Sequence, residues 1–231
     1  MSIHGLNKLT LLDYPGKVAA TIFLGSCNFR CPFCHNRDLV LDPMGQPVIE
    51  EEEILRFLKK RQGILDGVCI TGGEPSLYAG LEHLIRQIRA LGFSVKLDTN
   101  GFRPAVIKDL VSKNLLDMVA MDIKSSPEGY SRATGIDCLD LTPIRETVRF
   151  LMEGHIPYEF RTTVVKELHD RKTFEEIGQW IGGCEAYYLQ AYKDSDTVIH
   201  GGFHANTKEE LEEYRKLLLN TISVVGIRGI D

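Results

Sequence analysis

The stretch VAATIFLGSCNFRCPFCHN, residues 18–36, decides the fold. Val18–Leu24 is an apolar run ended by Gly25, the pattern of a buried strand. Cys27, Cys31 and Cys34 follow at once, in the loop that such a strand would feed. Three thiolates this close can hold one metal centre, one ligand short of the four that fill a cubane cluster or a structural zinc site. A centre with three protein ligands keeps a position open for chemistry. The other three of the six cysteines, Cys69, Cys138 and Cys184, are scattered and read as small apolar residues. Such clustering favours metal binding over cross-linking.

Outward from this loop, strand-like and helix-like segments alternate. Strands are expected over 18–24, 67–71, 94–98, 117–123, 157–165, 186–192 and 222–227, and helices over 50–62, 79–91, 104–113, 140–153, 172–181 and 208–219. Six βα units and one more strand imply a parallel sheet with right-handed crossovers. Eight units would close a barrel, so six predict an open or partial one, with a doubly wound sheet as the alternative. Residues 1–17 read as an arm, with a short hairpin over 9–17 turning at Pro15-Gly16, and 18–231 as one partial barrel.

The strand exits carry the unusual residues. They are the cysteine loop, Gly72-Gly73-Glu74-Pro75, Asp98-Thr99-Asn100-Gly101, Asp122-Ile123-Lys124, and Tyr192-Lys193, with Arg161 inside the fifth strand. The carboxyl ends of parallel strands form the active-site face of such folds. Each piece also has a plainer reading. Gly72-Gly73 is either a turn needing positive φ or a place where backbone approaches a ligand. Glu74 suits a helix N-terminus. Asp98 to Gly101 suits turn and cap chemistry. Asp122 and Lys124 share a strand face and suit an ion pair. Arg161 pairs with either a structural carboxylate or a ligand's. His35 is a fourth metal ligand, a ring packing on a ligand, or a surface residue. Phe33 is either core or a stacking surface.

Composition sets outer bounds. With 231 residues, 43% hydrophobic and 26% charged, the chain suits one large globular domain. Its net charge of −5 leaves no footprint for nucleic acid. No apolar run approaches the ~20 residues a bilayer span needs. The first residues show no secretory leader, so the cytoplasm is the expected compartment.

The Cys-x3-Cys-x-aromatic-Cys loop after the first strand, with Gly-Gly-Glu-Pro after the second, resembles the radical S-adenosylmethionine superfamily over essentially the whole chain. Cys34-His35-Asn36-Arg37-Asp38, Leu97-Asp98-Thr99-Asn100-Gly101 and Met121-Asp122-Ile123-Lys124 are similar to the glycyl-radical-enzyme activating enzymes. Leu9 to Arg30, with Asp13-Tyr14-Pro15-Gly16, is most similar to activators of anaerobic ribonucleoside-triphosphate reductase. Pyruvate formate-lyase activators have Asp-Gly-Pro-Gly there, so Tyr14 is a departure. Cys69 is the sole cysteine between Cys34 and Gly72, so no second cluster is expected.

The resemblance implies a partial (β/α)6 barrel of the TIM type. It implies that Cys27, Cys31 and Cys34 bind three irons of a [4Fe–4S] cluster and that S-adenosylmethionine chelates the fourth. Gly73, with Gly72 and Glu74, would take the amino group, and Arg161 or Lys124 the carboxylate. Phe33 and His35 would lie near adenine, with Lys193 where pyruvate formate-lyase activators carry a histidine. Asp98, Asn100, Asp122 and Ile123 would complete the cofactor contacts. Asp98, Thr99, Asp122 and the Ala120 carbonyl would match a monovalent-cation site, and Lys124 and Asp13 would be catalytic, Asp13 against a partner's glycine loop. The implied partners are a glycyl radical enzyme, anaerobic ribonucleotide reductase first, and a flavodoxin or ferredoxin donor. Alternatives are pyruvate formate-lyase activation, a radical enzyme acting on a small molecule or nucleobase, and a zinc adaptor using the three cysteines and His35.

Overall fold

Strict alternation along each strand sets the architecture. In β3 (Gly67–Gly72), Val68 and Ile70 are fully buried in the apolar core, while Thr71 lines an internal cavity. In β4 (Ser94–Thr99), Val95 and Leu97 join that core while Asp98 lines the cavity. The same division runs through β5 (Met118–Asp122), β6 (Tyr158–Val164) and β7 (Tyr187–Ala191). Successive side chains on a strand point to opposite faces, so one face holds the core and the other the chemistry.

The computed structural model describes residues 2–230. Its eight strands form one sheet in chain order, β1 to β8. The sheet opens with β1 (Ile3–Thr10) antiparallel to β2 (Ala19–Leu24). From β2 to β8 (Val225–Arg228) every pairing is parallel. Strands β1 and β8 each pair with one neighbour, so the barrel is open. The expected arm is corrected here. It is an eight-residue strand pairing from Ile3↔Leu24 to Thr10↔Ala19, and the turn around Gly16, at φ 72°, returns it to β2.

The helices are α1 (Arg37–Leu41), α2 (Glu51–Lys59), α3 (Leu81–Ala90), α4 (Pro104–Ser112), α5 (Tyr130–Thr134), α6 (Thr142–Met152), α7 (Arg171–Trp180) and α8 (Lys208–Leu218). The longer ones present buried residues at helical spacing, such as Leu81, Leu84, Ile85 and Ile88 in α3. Capping boxes start α7 at Asp170 and α8 at Thr207. Among the described residues no helix is long and apolar enough to cross a membrane.

Candidate active site

The cysteine loop leaves β2 at Leu24 and is held from several sides. Gly25 N–H donates to the Ser2 carbonyl at 3.1 Å, Ser26 N–H to Leu39 at 2.7 Å and Arg30 N–H to Thr134 at 2.8 Å. Its carbonyls at Pro32 and Cys34 accept from His200 and Ile199 at 2.8 and 3.2 Å. The double glycine fastens the loop to the exit of β3. Gly72 sits at φ 117°, open to glycine and strained for other residues. A Cβ on Gly73 would overlap the Ser26 carbonyl. The turn reading therefore holds at Gly72, and the group that approaches Gly73 closely is the cysteine loop's own backbone. The Asn36 amide donates to the Gly72 carbonyl at 2.6 Å, closing the clasp.

Cys27, Cys31 and Cys34 all line one cavity of about 220 Å³. Among the described residues no three His, Cys, Asp or Glu groups converge on a single ion. Burial pushes the Cys27 thiol up to about 11 and Cys31 to about 12, and raises Cys34 as well. Asn100 joins the group by donating from Nδ2 to Asn28 Oδ1 at 2.8 Å, with the Cys27 Sγ at 3.9 Å. The Asn28 amide nitrogen is buried beside Cys27 with no acceptor.

Behind the cysteines, β4, β5 and β6 place an alternating chain of charges. Lys96 Nζ bonds Asp98 Oδ1. Arg161 reaches Asp98 Oδ2 at 3.1 Å and Asp122 Oδ1 at 2.9 Å. Lys124 Nζ bonds Asp122 Oδ2 at 3.0 Å. Burial alone would raise both carboxyls, but the facing cations outweigh it, holding Asp98 below its ordinary range and Asp122 at about 2. Burial works against the Lys124 and Arg161 charges too, and the carboxylates overcome it, Asp122 foremost.

A sequence profile described as the Radical SAM superfamily matches residues 21–181, more than half of the chain. The chain belongs to the radical S-adenosylmethionine superfamily. A protein of Methanocaldococcus jannaschii, named by inference as a glycyl-radical enzyme activating enzyme, is 31% identical over 99% of this chain and 96% of its own length. A Thermococcus kodakarensis protein named by inference as a GTP 3',8-cyclase is 32% identical over 65% of this chain and 48% of its own. In fold, a domain of pyruvate-formate lyase-activating enzyme from Bacteroides vulgatus matches with a TM-score of 0.58 at 17% identity, covering 71% of this chain and 99% of that one. Streptococcus suis SuiB bound to S-adenosylmethionine matches with a TM-score of 0.68 at 12% identity, covering 88% of this chain and 48% of that one.

The residues of this radical S-adenosylmethionine enzyme suit a [4Fe–4S] cluster. Three thiols surround a space with no tight single-ion site, and an orphaned amide donor stands beside Cys27, the kind of group that cluster sulfur accepts from. His35 has one ring nitrogen taken up outside the thiol group. Its Nε2 is committed to the Lys193 carbonyl, and its exposed ring leans on Tyr192, centroids 5.4 Å apart. Phe33 is buried yet lines the cavity, against His169 at 6.3 Å.

Several expectations need correction. The Lys193 side chain is exposed, and the aromatic group at that exit is Tyr192. Ile123 is fully buried in the apolar core and lines no part of the cavity. Glu74 lines the cavity, but its carboxylate holds the loops. It accepts from Ser76 N–H at 3.0 Å, the Thr99 hydroxyl at 2.8 Å and Asn100 N–H at 2.7 Å. Asp13 is absent from the cavity wall and accepts from the Thr21 hydroxyl at 2.5 Å, below the mouth. The expected monovalent-cation ligands already have partners: Lys96, Arg161 and Lys124 on Asp98 and Asp122, and Glu74 on Thr99. Ala120 lies mid-strand in β5, paired on one side with β4 and on the other with β6.

Sequence reasoning passed over Lys96 and His169. Lys96 stands two residues from Asp98 in β4, on the same face, a signal that strand alternation makes readable. His169 Nδ1 accepts from Val165 N–H, so Nε2 carries the proton and donates to the Lys124 carbonyl at 2.9 Å. Nothing in the chain near His169 advertised that pairing.

Proposed function

We propose that this chain activates a glycyl radical enzyme, anaerobic ribonucleotide reductase first, by abstracting hydrogen from a glycine Cα. The observation that carries the reading is the likeness to the M. jannaschii protein along nearly both full lengths, joined to a three-thiol site at the mouth of an open barrel. Cys27, Cys31 and Cys34 would hold a [4Fe–4S] cluster, which would supply the one electron that reductive cleavage of S-adenosylmethionine to methionine and a 5′-deoxyadenosyl radical requires.

The protein's share is binding, orientation and shielding. Lys124 uses one acceptor on Asp122 and keeps further ammonium protons for the methionine carboxylate. Arg161 is held rigid between two aspartates and adds positive potential. Phe33 and His35 supply ring faces for adenine, His35 backed by the buried Tyr192. Thr163 and Gln190, on the wall beyond Arg161, face the entering glycine loop. Asp13 meets that loop only if it reaches below the mouth. The electron comes from a flavodoxin or ferredoxin, and the cytoplasm is the compartment.

The test is anaerobic reconstitution and dithionite reduction, with recombinant anaerobic ribonucleotide reductase and with pyruvate formate-lyase. A glycine-centred doublet in electron paramagnetic resonance with the reductase is the expected result. Cys31→Ala is expected to abolish 5′-deoxyadenosine formation and the ~400 nm cluster absorption. The cyclase likeness supports a second reading, action on a nucleotide. Consumption of GTP with no glycyl signal from either partner would select it.

A further inference from the structure

Lys96 is a buried charge in β4 that lines no part of the cavity. Its side chain is 1% exposed, which for lysine requires a partner. Its ammonium bonds Asp98 and lies 3.9 Å from the Cys69 sulfur. Asp13, which also acts on Cys69, is committed to Thr21 and makes no ion pair with Lys96. Glu159, facing Arg161 from the far side, is neutralised by a two-bond fork from Arg228 at 2.8 Å.

In the chain Lys96–Asp98–Arg161–Asp122–Lys124, three cations meet two carboxylates. One positive charge is left over, at the end where Lys124 faces the cavity. With Lys96 neutral, the array would balance by itself and offer no net attraction to an anion. Arg161 would then be the one cation left on Asp98. Charges at this depth act strongly on one another because little water screens them.

We infer that Lys96 is a built-in counter-ion. It satisfies Asp98 from below, as a bound monovalent cation otherwise would, and so leaves Arg161 and Lys124 poised for the carboxylate of S-adenosylmethionine. Lys96 touches no substrate and is a positioning residue. The inference rests on the reading of the cavity as the S-adenosylmethionine site, and it makes binding independent of added alkali cations.

The experiment measures S-adenosylmethionine affinity by equilibrium dialysis on anaerobic, cluster-loaded protein, in buffers whose cation is choline, K⁺ or NH₄⁺. The wild type is expected to bind equally in all three. Lys96→Met is expected to lose at least about tenfold in choline, as for a buried charge stripped of its partner, and to recover in K⁺ or NH₄⁺. The double variant Lys96→Met/Asp98→Asn removes one charge of each sign, so it keeps the surplus and guards against misfolding of the single variant. It is expected to regain affinity in choline and gain nothing from K⁺. A wild type that requires K⁺, a Lys96→Met protein that binds normally in choline, or a defect that neither cations nor the second substitution relieve would each overturn the inference. A wild type that binds no S-adenosylmethionine at all would instead overturn the reading of the cavity, and this inference with it.

Discussion

At the residue scale, the site depends on a few buried polar atoms whose alternatives are costly. His169 is the clearest case. Burial lowers it from 6.5 to about 4, against the pull of two backbone hydrogen bonds, so it is neutral in the folded state. The unfolded chain binds this proton more readily. The stabilisation is therefore full above pH 6.5 and is lost as pH falls toward 4, by about 3 kcal/mol in total. Denaturant titration of the cluster-free protein between pH 4 and 7 is expected to show this slope, and His169→Gln to flatten it. Asp122 acts lower. Its carboxyl is depressed from 3.8 to about 2, so its contribution is present above pH 3.8 and goes as pH falls through 2. Gly73→Ala tests the clasp. With a Cβ driven onto the Ser26 carbonyl, the cysteine loop must shift, and cluster loading measured by iron content is expected to fall to a small fraction of wild type while circular dichroism stays native.

At the element scale, strands were readable and charge pairing was not. The runs around Ile70, Leu97 and Val119 announced strands because alternation survives in one dimension. Helix α1 and helix α5 escaped notice, since five residues complete too little of a period to register. Which carboxylate Arg161 would meet depended on register between β4, β5 and β6, a property no single strand carries. Glu74 likewise looked like a ligand until β4 was beside it. Strand β1 is also more than an appendage. It covers the edge of β2, and its approach ties Ser2 to Gly25 at the start of the cysteine loop. Deleting residues 2–10 is expected to expose that edge, promote aggregation in light scattering, and reduce iron incorporation.

At the scale of the whole molecule, one cavity gathers the exits of six strands, and burial there governs how the cofactor is loaded. All three cysteine thiols are pushed upward by burial, Cys27 to about 11 and Cys31 to about 12. Binding metal as thiolates must release their protons. Cluster loading is therefore expected to strengthen steadily from pH 7 to 9 without a plateau, read as iron retained against a fixed chelator. A plateau below pH 8 would mean that another group limits assembly. The overall path of the chain was the most legible property, because six crossovers of one hand leave few topologies. The polar lumen was the least legible, because it exists only once the strands curl together.

That lumen separates two jobs that most small enzymes entangle. The apolar layer between sheet and helices keeps the chain folded, while Thr163 and Gln190 stand on the opposite face and contribute little to that layer. Such a scaffold can be rewritten from within. Libraries confined to these inward positions should yield new molecular preferences at almost no loss of foldable clones, a latitude that a barrel packed solid with valine and leucine does not offer.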